Sequence, residues 1–317
     1  ESSYKSETLP RYHARETAIE RARMCGASVV LGSATPSVES YYRAKTGEYE
    51  LLELKHRVAE KPLPKVEVVD LREELKAGNR SILSVQLQEL MEDRLKKGQQ
   101  MMLFINRRGV AGFVSCRACG HVLKCPHCDV SLSQHVTRQH PEGKMVCHYC
   151  GYEIPMPKTC PHCGGKQFRR MGFGTQQMEE QLQLLFPKAR VLRMDADTTG
   201  SRYAYEEKFA AFRNKEYEIM VGTQMIGKGL DFPDVTLVGV LSLDQALFAG
   251  DFRSYERTFS LITQVVGRSG RGDTAGRAIL QTFLPNHYVL QLAAQQNYPV
   301  FYEQEYAIRK TMLFPPF

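Results

Sequence analysis

Four Cys-x-x-Cys pairs fall within 48 residues of this 317-residue chain: Cys116/Cys119, Cys125/Cys128, Cys147/Cys150 and Cys160/Cys163. They use eight of its nine cysteines. Two thiolates two residues apart can hold one side of a tetrahedral metal ion, and two such pairs fill its shell. Eight thiols therefore fit two closed four-sulfur zinc sites. Redox chemistry would employ one pair and leave three unexplained. Paired thiols in a long chain also point to a reducing, cytoplasmic compartment rather than a disulfide framework. Gly120, Asp129, Gly151 and Gly164 each follow a pair, and each tolerates the positive φ that a zinc knuckle requires. Spacing leaves three pairings of the pairs open: sequential, alternating or nested. Histidines nearby could ligate zinc, but the thiols already fill both tetrahedra. The remaining Cys25 is expected to be a small core residue.

The segment from Ser115 to Lys166 is rich in Cys, His, Gly and Pro and has no long apolar run. It cannot bury enough surface to fold alone, so metal must supply its stability. Between Met101 and Arg170 stand ten Lys/Arg against three acids, while the rest of the chain is balanced. That local excess suits a polyanion. Four thiolates around each Zn²⁺ would offset much of it, so charge alone is a weak argument. Apolar stretches are too short to cross a membrane.

Around this segment, helix-period and strand-like stretches alternate. Strands are expected at Ser28–Leu31, Lys65–Leu71, Met101–Ile105, Arg190–Met194, Glu218–Val221, Val235–Leu243 and Arg277–Phe283. Helices are expected at Arg11–Cys25, from Thr35-Pro36 toward Gly47, after a Ser84 cap to Lys97, and over Gln176–Phe186, Tyr203–Asn214 and Ser254–Val266. Asn286–Phe317 also reads as helical. Such alternation predicts an α/β fold with a parallel sheet covered on both faces, interrupted by a small two-zinc module.

Several motifs lie outside the cysteines. Gly32-Ser-Ala-Thr-Pro36 follows a strand, where small residues and hydroxyls line the usual ligand crevice. Val221-Gly-Thr-Gln-Met-Ile-Gly-Lys-Gly-Leu-Asp-Phe-Pro233 offers glycines for close backbone approach and Lys228 for charge. Gln264-Val-Val-Gly-Arg-Ser-Gly-Arg271 holds two arginines three apart among glycines, suited to bidentate contact with phosphate oxygens. Each could be a structural turn by itself; their joint order argues otherwise.

The set GSATP, NRRG (Asn106 to Gly109), GTQMIGKGLDFPDV and QVVGRSGR resembles superfamily 2 helicases. With eight cysteines between NRRG and the later motifs, the chain is similar to the bacterial primosomal replication-restart helicases over essentially its whole length. That resemblance implies RecA-like lobes, with residues 1–64 as the remnant of lobe 1, 65–114 and 167–284 as lobe 2, 115–166 as the zinc insertion and 285–317 as the start of a carboxyl-terminal domain. It implies nested zinc pairing: Cys116, Cys119, Cys160 and Cys163 on one ion, Cys125, Cys128, Cys147 and Cys150 on the other. Gln264, Arg268 and Arg271 would face ATP phosphates, with Gly229 and Asp231 nearby and Ser33 and Thr35 coupling nucleotide to DNA. ATP and Mg²⁺ would join the two Zn²⁺ in the intact enzyme. DNA contacts would come from an aromatic-rich loop (Tyr4, Lys5, Arg11, Tyr12, His13, Arg15) and from Thr223, Gln224 and Lys228, while Arg107 and Arg108 would contact DNA or close the lobe interface. The loop's aromatic and cationic side chains suit base stacking and phosphate contact. The implied activity is 3′-to-5′ DNA unwinding at stalled forks. The implied partners are forked or single-stranded DNA and primosomal and single-strand-binding proteins, with no membrane.

No Gly-x-x-x-x-Gly-Lys-Ser/Thr segment is present, and neither is the acidic Mg²⁺-holding motif. The expectation is therefore an internal piece of a helicase with no appreciable ATPase of its own. The competing reading is a non-catalytic zinc scaffold that recruits replication proteins.

Overall fold

The computed structural model describes residues 4–6, 8–54, 63–105, 114–136, 143–166, 168–170, 174–195, 202–223, 232–270, 272 and 274–317, with backbone alone at 168–170 and 202–204. Two compact units emerge: residues 1–53 with 302–317, and residues 54–301.

The first unit carries α1 (Ala14–Cys25) and α2 (Val38–Lys45). Upstream of α1, Lys5 and His13 form an antiparallel bridge, and the Ser6 amide donates to the Tyr12 carbonyl at 2.9 Å. The alanine face expected of α1 buries nothing among the described residues, and Cys25 is exposed rather than in a core. Ser28–Leu31 is not a strand: it is exposed, with no ladder partner among the described residues. An apolar run marks a strand only where a neighbour can take its hydrogen bonds. Helix α2 also starts later than expected. Ser37, not Thr35, is the cap, its hydroxyl accepting from the Ser40 amide at 3.2 Å. Pro36 thus precedes the cap instead of opening the helix. Val38 and Tyr41 are buried, Tyr41 packs edge-on against Tyr302, and buried Arg309 lies 3.5 Å from both Glu39 and Glu305.

The second unit begins with β1 (Lys65–Asp70), α3 (Leu71–Lys76), α4 (Val85–Lys96) and β2 (Gln100–Ile105). The cysteine-rich insertion follows with β3 (Val114–Cys116), β4 (Ser133–His135), β5 (Lys144–Val146), β6 (Glu153–Pro155) and β7 (Phe168–Arg170). Then come α5 (Thr175–Leu185), β8 (Val191–Met194), α6 (Arg202–Arg213), β9 (Ile219–Gly222), β10 (Val235–Leu241), α7 (Leu243–Leu247), α8 (Ser254–Val266), β11 (Arg277–Thr282), α9 (Tyr288–Ala294) and α10 (Tyr298–Met312), the unit division falling within α10.

Six strands form one parallel sheet in the order β1-β11-β10-β2-β9-β8. β2 and β10 are buried along their whole length, which explains why they are mostly apolar rather than alternating. Met101, Leu103 and Ile105 join Leu87 and Met91 of α4 and Met178 and Leu182 of α5 in one core. Alternate residues such as Met102 and Phe104 face the other side. Connections from β1 to β2 and from β2 to β8 run toward one edge of the sheet; that from β10 to β11 runs toward the other. Right-handed crossover then puts α4 and α5 on one face and α8 on the opposite one, and α9 packs on α8.

Just past β10, Asp244 is buried and accepts hydrogen bonds from the Thr282 hydroxyl (2.9 Å) and the Phe283 amide (3.2 Å). Desolvation lifts its carboxyl to about 6 despite those donors. The folded chain thus holds this proton where the unfolded chain has released it, and this residue's contribution to stability falls as pH rises from about 4 to 6. Asp244→Asn keeps an acceptor and removes the ionisation. The stability of the variant relative to the parent is expected to grow with pH across that window, by about 1–3 kcal/mol, measured as paired urea titrations at each pH.

Candidate metal centres and motif positions

The four knuckles share one hydrogen-bond pattern. The first cysteine's amide donates to a carbonyl five residues on: Cys116 to His121, Cys125 to Val130, Cys147 to Tyr152, and Cys160 to Gly165, at 2.8–2.9 Å. The amides of Gly120, Asp129, Gly151 and Gly164 donate back to the first cysteine's carbonyl at 2.8–3.0 Å. All four of these residues have positive φ, between 51° and 78°. This tight return points both sulfurs of each pair the same way.

The sulfurs gather in nested fashion. Cys116, Cys119, Cys160 and Cys163 form the outer cluster; Cys125, Cys128, Cys147 and Cys150 form the inner one. Sulfur separations include 3.6 Å for Cys116–Cys163, 3.7 Å for Cys119–Cys160 and 3.5 Å for Cys125–Cys150. A tetrahedron with Zn–S near 2.3 Å has edges of about 3.8 Å, whereas a disulfide is about 2.05 Å. Both clusters therefore fit zinc. Four sulfurs leave no open position, so the sites are structural rather than catalytic. No histidine belongs to either cluster among the described residues.

Short antiparallel pairings support the clusters. β3 and β7 close the insertion as a two-stranded stem, and β4, β5 and β6 form a small sheet beside the inner cluster. The Ser131 hydroxyl donates to the Phe248 carbonyl at 2.8 Å, and the Phe252 amide donates to the Tyr149 hydroxyl at 3.1 Å. Gly120 sits so close to the end of β11 that a Cβ would lie 2.7 Å from the Phe283 carbonyl oxygen. Gly151 holds the same knuckle position with nothing within 4 Å. Alanine at Gly151 should cost about 1 kcal/mol of backbone strain. Alanine at Gly120 adds a backbone clash and should cost about 1–3 kcal/mol more. Thermal melts of the two zinc-loaded variants compare them directly.

The other motif residues are spread over both units. β2 and β9 are parallel neighbours, with Phe104 opposite Gly222, so Ile105, which precedes NRRG in the sequence, and Thr223 stand at the same edge of the sheet. Thr223 is half-buried there. Arg107, Arg108, Gln224, Lys228, Gly229, Asp231 and Arg271 lie outside the described residues. The turn after α8 belongs to the opposite edge: the Gly270 amide donates to the Val235 carbonyl at the start of β10. Gln264 is exposed on the last turn of α8, its amide donating to Ser260 at 3.0 Å, and Arg268 is half-buried. In the first unit, Ser33 accepts from the Thr35 amide at 3.1 Å, and Thr35 is buried. Tyr4, Lys5, Arg11 and Tyr12 are exposed on the bridged segment. His13 and Arg15 also hold the local fold: His13 accepts from the Arg15 amide as cap of α1, and the Arg15 guanidinium donates to Ser37 (3.0 Å) and Ser40 (2.8 Å).

Residues 168–273 match the helicase conserved C-terminal domain, and residues 125–155 match the PriA DNA helicase Cys-rich region. Over all 317 residues the chain is 53% identical to replication restart protein PriA of Bacillus subtilis (strain 168), covering 39% of that protein. The chain belongs to the PriA family. Its identity to PriA of Synechocystis sp. is 45%, over all of this chain and 39% of the relative. For PriA of Haemophilus influenzae the identity is 39%, over all of this chain and 42% of the relative. The chain thus spans about two fifths of the length of these PriA relatives.

The Cys-rich match contains the inner cluster, while Cys116, Cys119, Cys160 and Cys163 of the outer cluster flank it. Without a cation, the thiols of this PriA region do not all ionise. Burial first, and then neighbouring sulfurs, push the Cys119 and Cys128 thiols up to about 12. Four thiols at these separations resist joint ionisation, and a divalent ion removes that penalty. Burial opposes ionisation of Cys147 too, but the amides of Cys150 and Tyr149 prevail and hold it at about 7. The docking contacts of Ser131 and Tyr149 carry no motif, and only the neighbouring chain makes them visible.

Proposed function

We infer that the intact protein is an ATP-dependent 3′-to-5′ DNA helicase that restarts stalled replication forks and initiates primosome assembly. In this reading residues 65–114 and 167–284 form one motor lobe, residues 115–166 its zinc insertion, residues 1–64 part of the other lobe and residues 285–317 the start of a further domain. The observation that carries it is the pairing of β2 and β9, whose carboxyl ends at Ile105 and Gly222 immediately precede NRRG and Thr223 in the sequence, in a chain of PriA kinship. Arg107, Arg108, Thr223, Gln224 and Lys228 would meet DNA along the sheet edge where those strands end, assisted by exposed Tyr4, Lys5, Arg11 and Tyr12. At the opposite edge Gln264, Arg268 and Arg271 would face ATP phosphates, with Gly229 and Asp231 contributing to the nucleotide site. The two arginines stabilise charge on the transferring phosphoryl group. Ser33 and Thr35 pass nucleotide state to the DNA side. The zinc ions hold the insertion as a wedge or docking surface beside the duplex, and single-strand-binding and primosomal proteins are the partners.

Arg268→Ala in the intact protein tests this reading. DNA-stimulated ATP turnover should fall about 10³-fold while two zinc ions remain bound. Unchanged turnover would favour the scaffold reading. The 317-residue chain by itself, which has no P-loop segment, should hydrolyse ATP negligibly.

A further inference from the structure

A cleft of about 460 Å³ opens in the second unit where β1, β11 and β10 end. Its volume falls within the range of small-molecule sites. The topology explains its position. β1 leaves through α3 and α4 on one face of the sheet, while β11 leaves toward α9 on the other. The chain diverges between these neighbouring strands, and ligands of open α/β sheets bind at such a divergence, outside the strands' carboxyl ends.

The walls narrow the ligand's chemistry. The carboxyl groups of Glu74, Glu180 and Asp244 line the cleft together with the Arg117 and Arg80 guanidiniums, so a compact polyphosphate would meet more carboxyl groups than cations. Arg80, in the connection between α3 and α4, is exposed and makes no ion pair among the described residues. The pattern suits a neutral, polar, flat group inside and one negative charge outside. Leu184 offers an apolar surface that is 79% exposed. Gln181 lines the cleft without a hydrogen bond among the described residues. Ser242 is more telling. It occupies the left-handed region (φ 57°, ψ 36°), and its hydroxyl oxygen is buried with no hydrogen-bond partner among the described residues. Strain and an unsatisfied hydroxyl in one residue are costs that a fold tends to retain at binding sites.

We propose that this cleft receives one unstacked nucleobase of a single DNA strand lying along the carboxyl edge of the sheet, with Leu184 against the ring, Ser242 and Gln181 at its polar edge and Arg80 on the flanking phosphate. This rests on the DNA-binding reading of the chain. β10 adjoins β2 and β2 adjoins β9, so the cleft and the carboxyl ends of β2 and β9 at Ile105 and Gly222 lie within about 10–15 Å along one edge, which a few nucleotides span.

The zinc-loaded chain and an oligothymidylate carrying one 5-iododeoxyuridine provide the test. Photo-crosslinking should attach the probe to peptides containing Leu184, Ser242 or Phe283. Leu184→Asp and Arg80→Glu alter exposed side chains, so both variants should keep two zinc ions and the parent melting temperature. Each should lower that crosslink about tenfold. Bound probe that crosslinks only elsewhere, or a yield unaffected by both variants, overturns the cleft alone. A chain that does not bind the oligonucleotide at all overturns the DNA-binding reading and the cleft with it.

Discussion

Removal of zinc by a chelator is expected to unfold residues 114–166 while the six-stranded sheet persists. The buried cluster of the insertion consists of Val114, Cys116, Cys125, Leu132, Met145, Cys147 and Cys160. Four of these seven are metal ligands, so the apolar remainder is three side chains. All five strands of the insertion are three residues long. Without metal, such ladders cannot offset the entropy of ordering the chain between them. Structural zinc contributes about 10–16 kcal/mol of apparent binding energy in comparable small modules, which is far more than this core can supply. The intact chain should hold two zinc ions, released together with the collapse of amide protection in residues 114–166. Cys125→Ser should lose the inner ion first. The pH dependence has a definite sign. Cys119 and Cys128 are protonated at neutral pH without metal, so binding expels protons and apparent affinity rises with pH. Full protection of the insertion after complete zinc removal would exclude the structural role.

The two kinds of legibility in this sequence have separate physical origins. Knuckles are local: a pair of thiols and a left-handed residue four after the first cysteine suffice, and all four turns appear where Gly120, Asp129, Gly151 and Gly164 predict them. Buried strands are nearly as local. The apolar runs Met101–Ile105 and Val235–Leu241, the latter interrupted only by Thr236 and Gly239, mark the centre of the sheet, and Ser254–Val266 is a helix with the bounds its periodicity gives. Nested pairing was legible only through family resemblance, because it depends on how β3 meets β7 across more than fifty residues. Ser28–Leu31 misled for the converse reason. Its composition is that of a strand, yet pairing is a property of two segments, and no described neighbour takes its hydrogen bonds. Arg15 reads as a free cation in a basic, aromatic stretch. Only the fold places Ser37 and Ser40 within reach of its guanidinium.

Gly276→Ala is expected to disable the QVVGRSGR turn without touching any of its residues. Gly276 opens onto β11, and its carbonyl accepts from the Lys65 amide of β1 at 3.0 Å. The turn is held from the other side, where the Gly270 amide donates to the Val235 carbonyl at 3.1 Å. Between these anchors the two backbones touch. A Cβ on Gly276 would stand 2.5 Å from the Ser269 carbonyl carbon, 2.6 Å from the Gly270 nitrogen and 2.7 Å from the Ser269 hydroxyl. Two of those atoms are main chain, so no rotamer change relieves the overlap. Ser269 is itself buried, its hydroxyl donating to the Val266 carbonyl at the end of α8. The methyl group must therefore push the whole turn away from the sheet, at a cost of about 1–3 kcal/mol. For a unit of this size that lowers the melting temperature by roughly 2–10 °C. The larger consequence is positional. Arg268 precedes Ser269, so a shift of about 1 Å carries the guanidinium with it, and misplacement on that scale costs about 10²-fold in turnover. The intact Gly276→Ala protein should retain both zinc ions and lose DNA-stimulated ATP hydrolysis by about that factor. A melting temperature and turnover equal to the parent's would mean that the turn relaxes freely, and that its contact with β11 does not position Arg268.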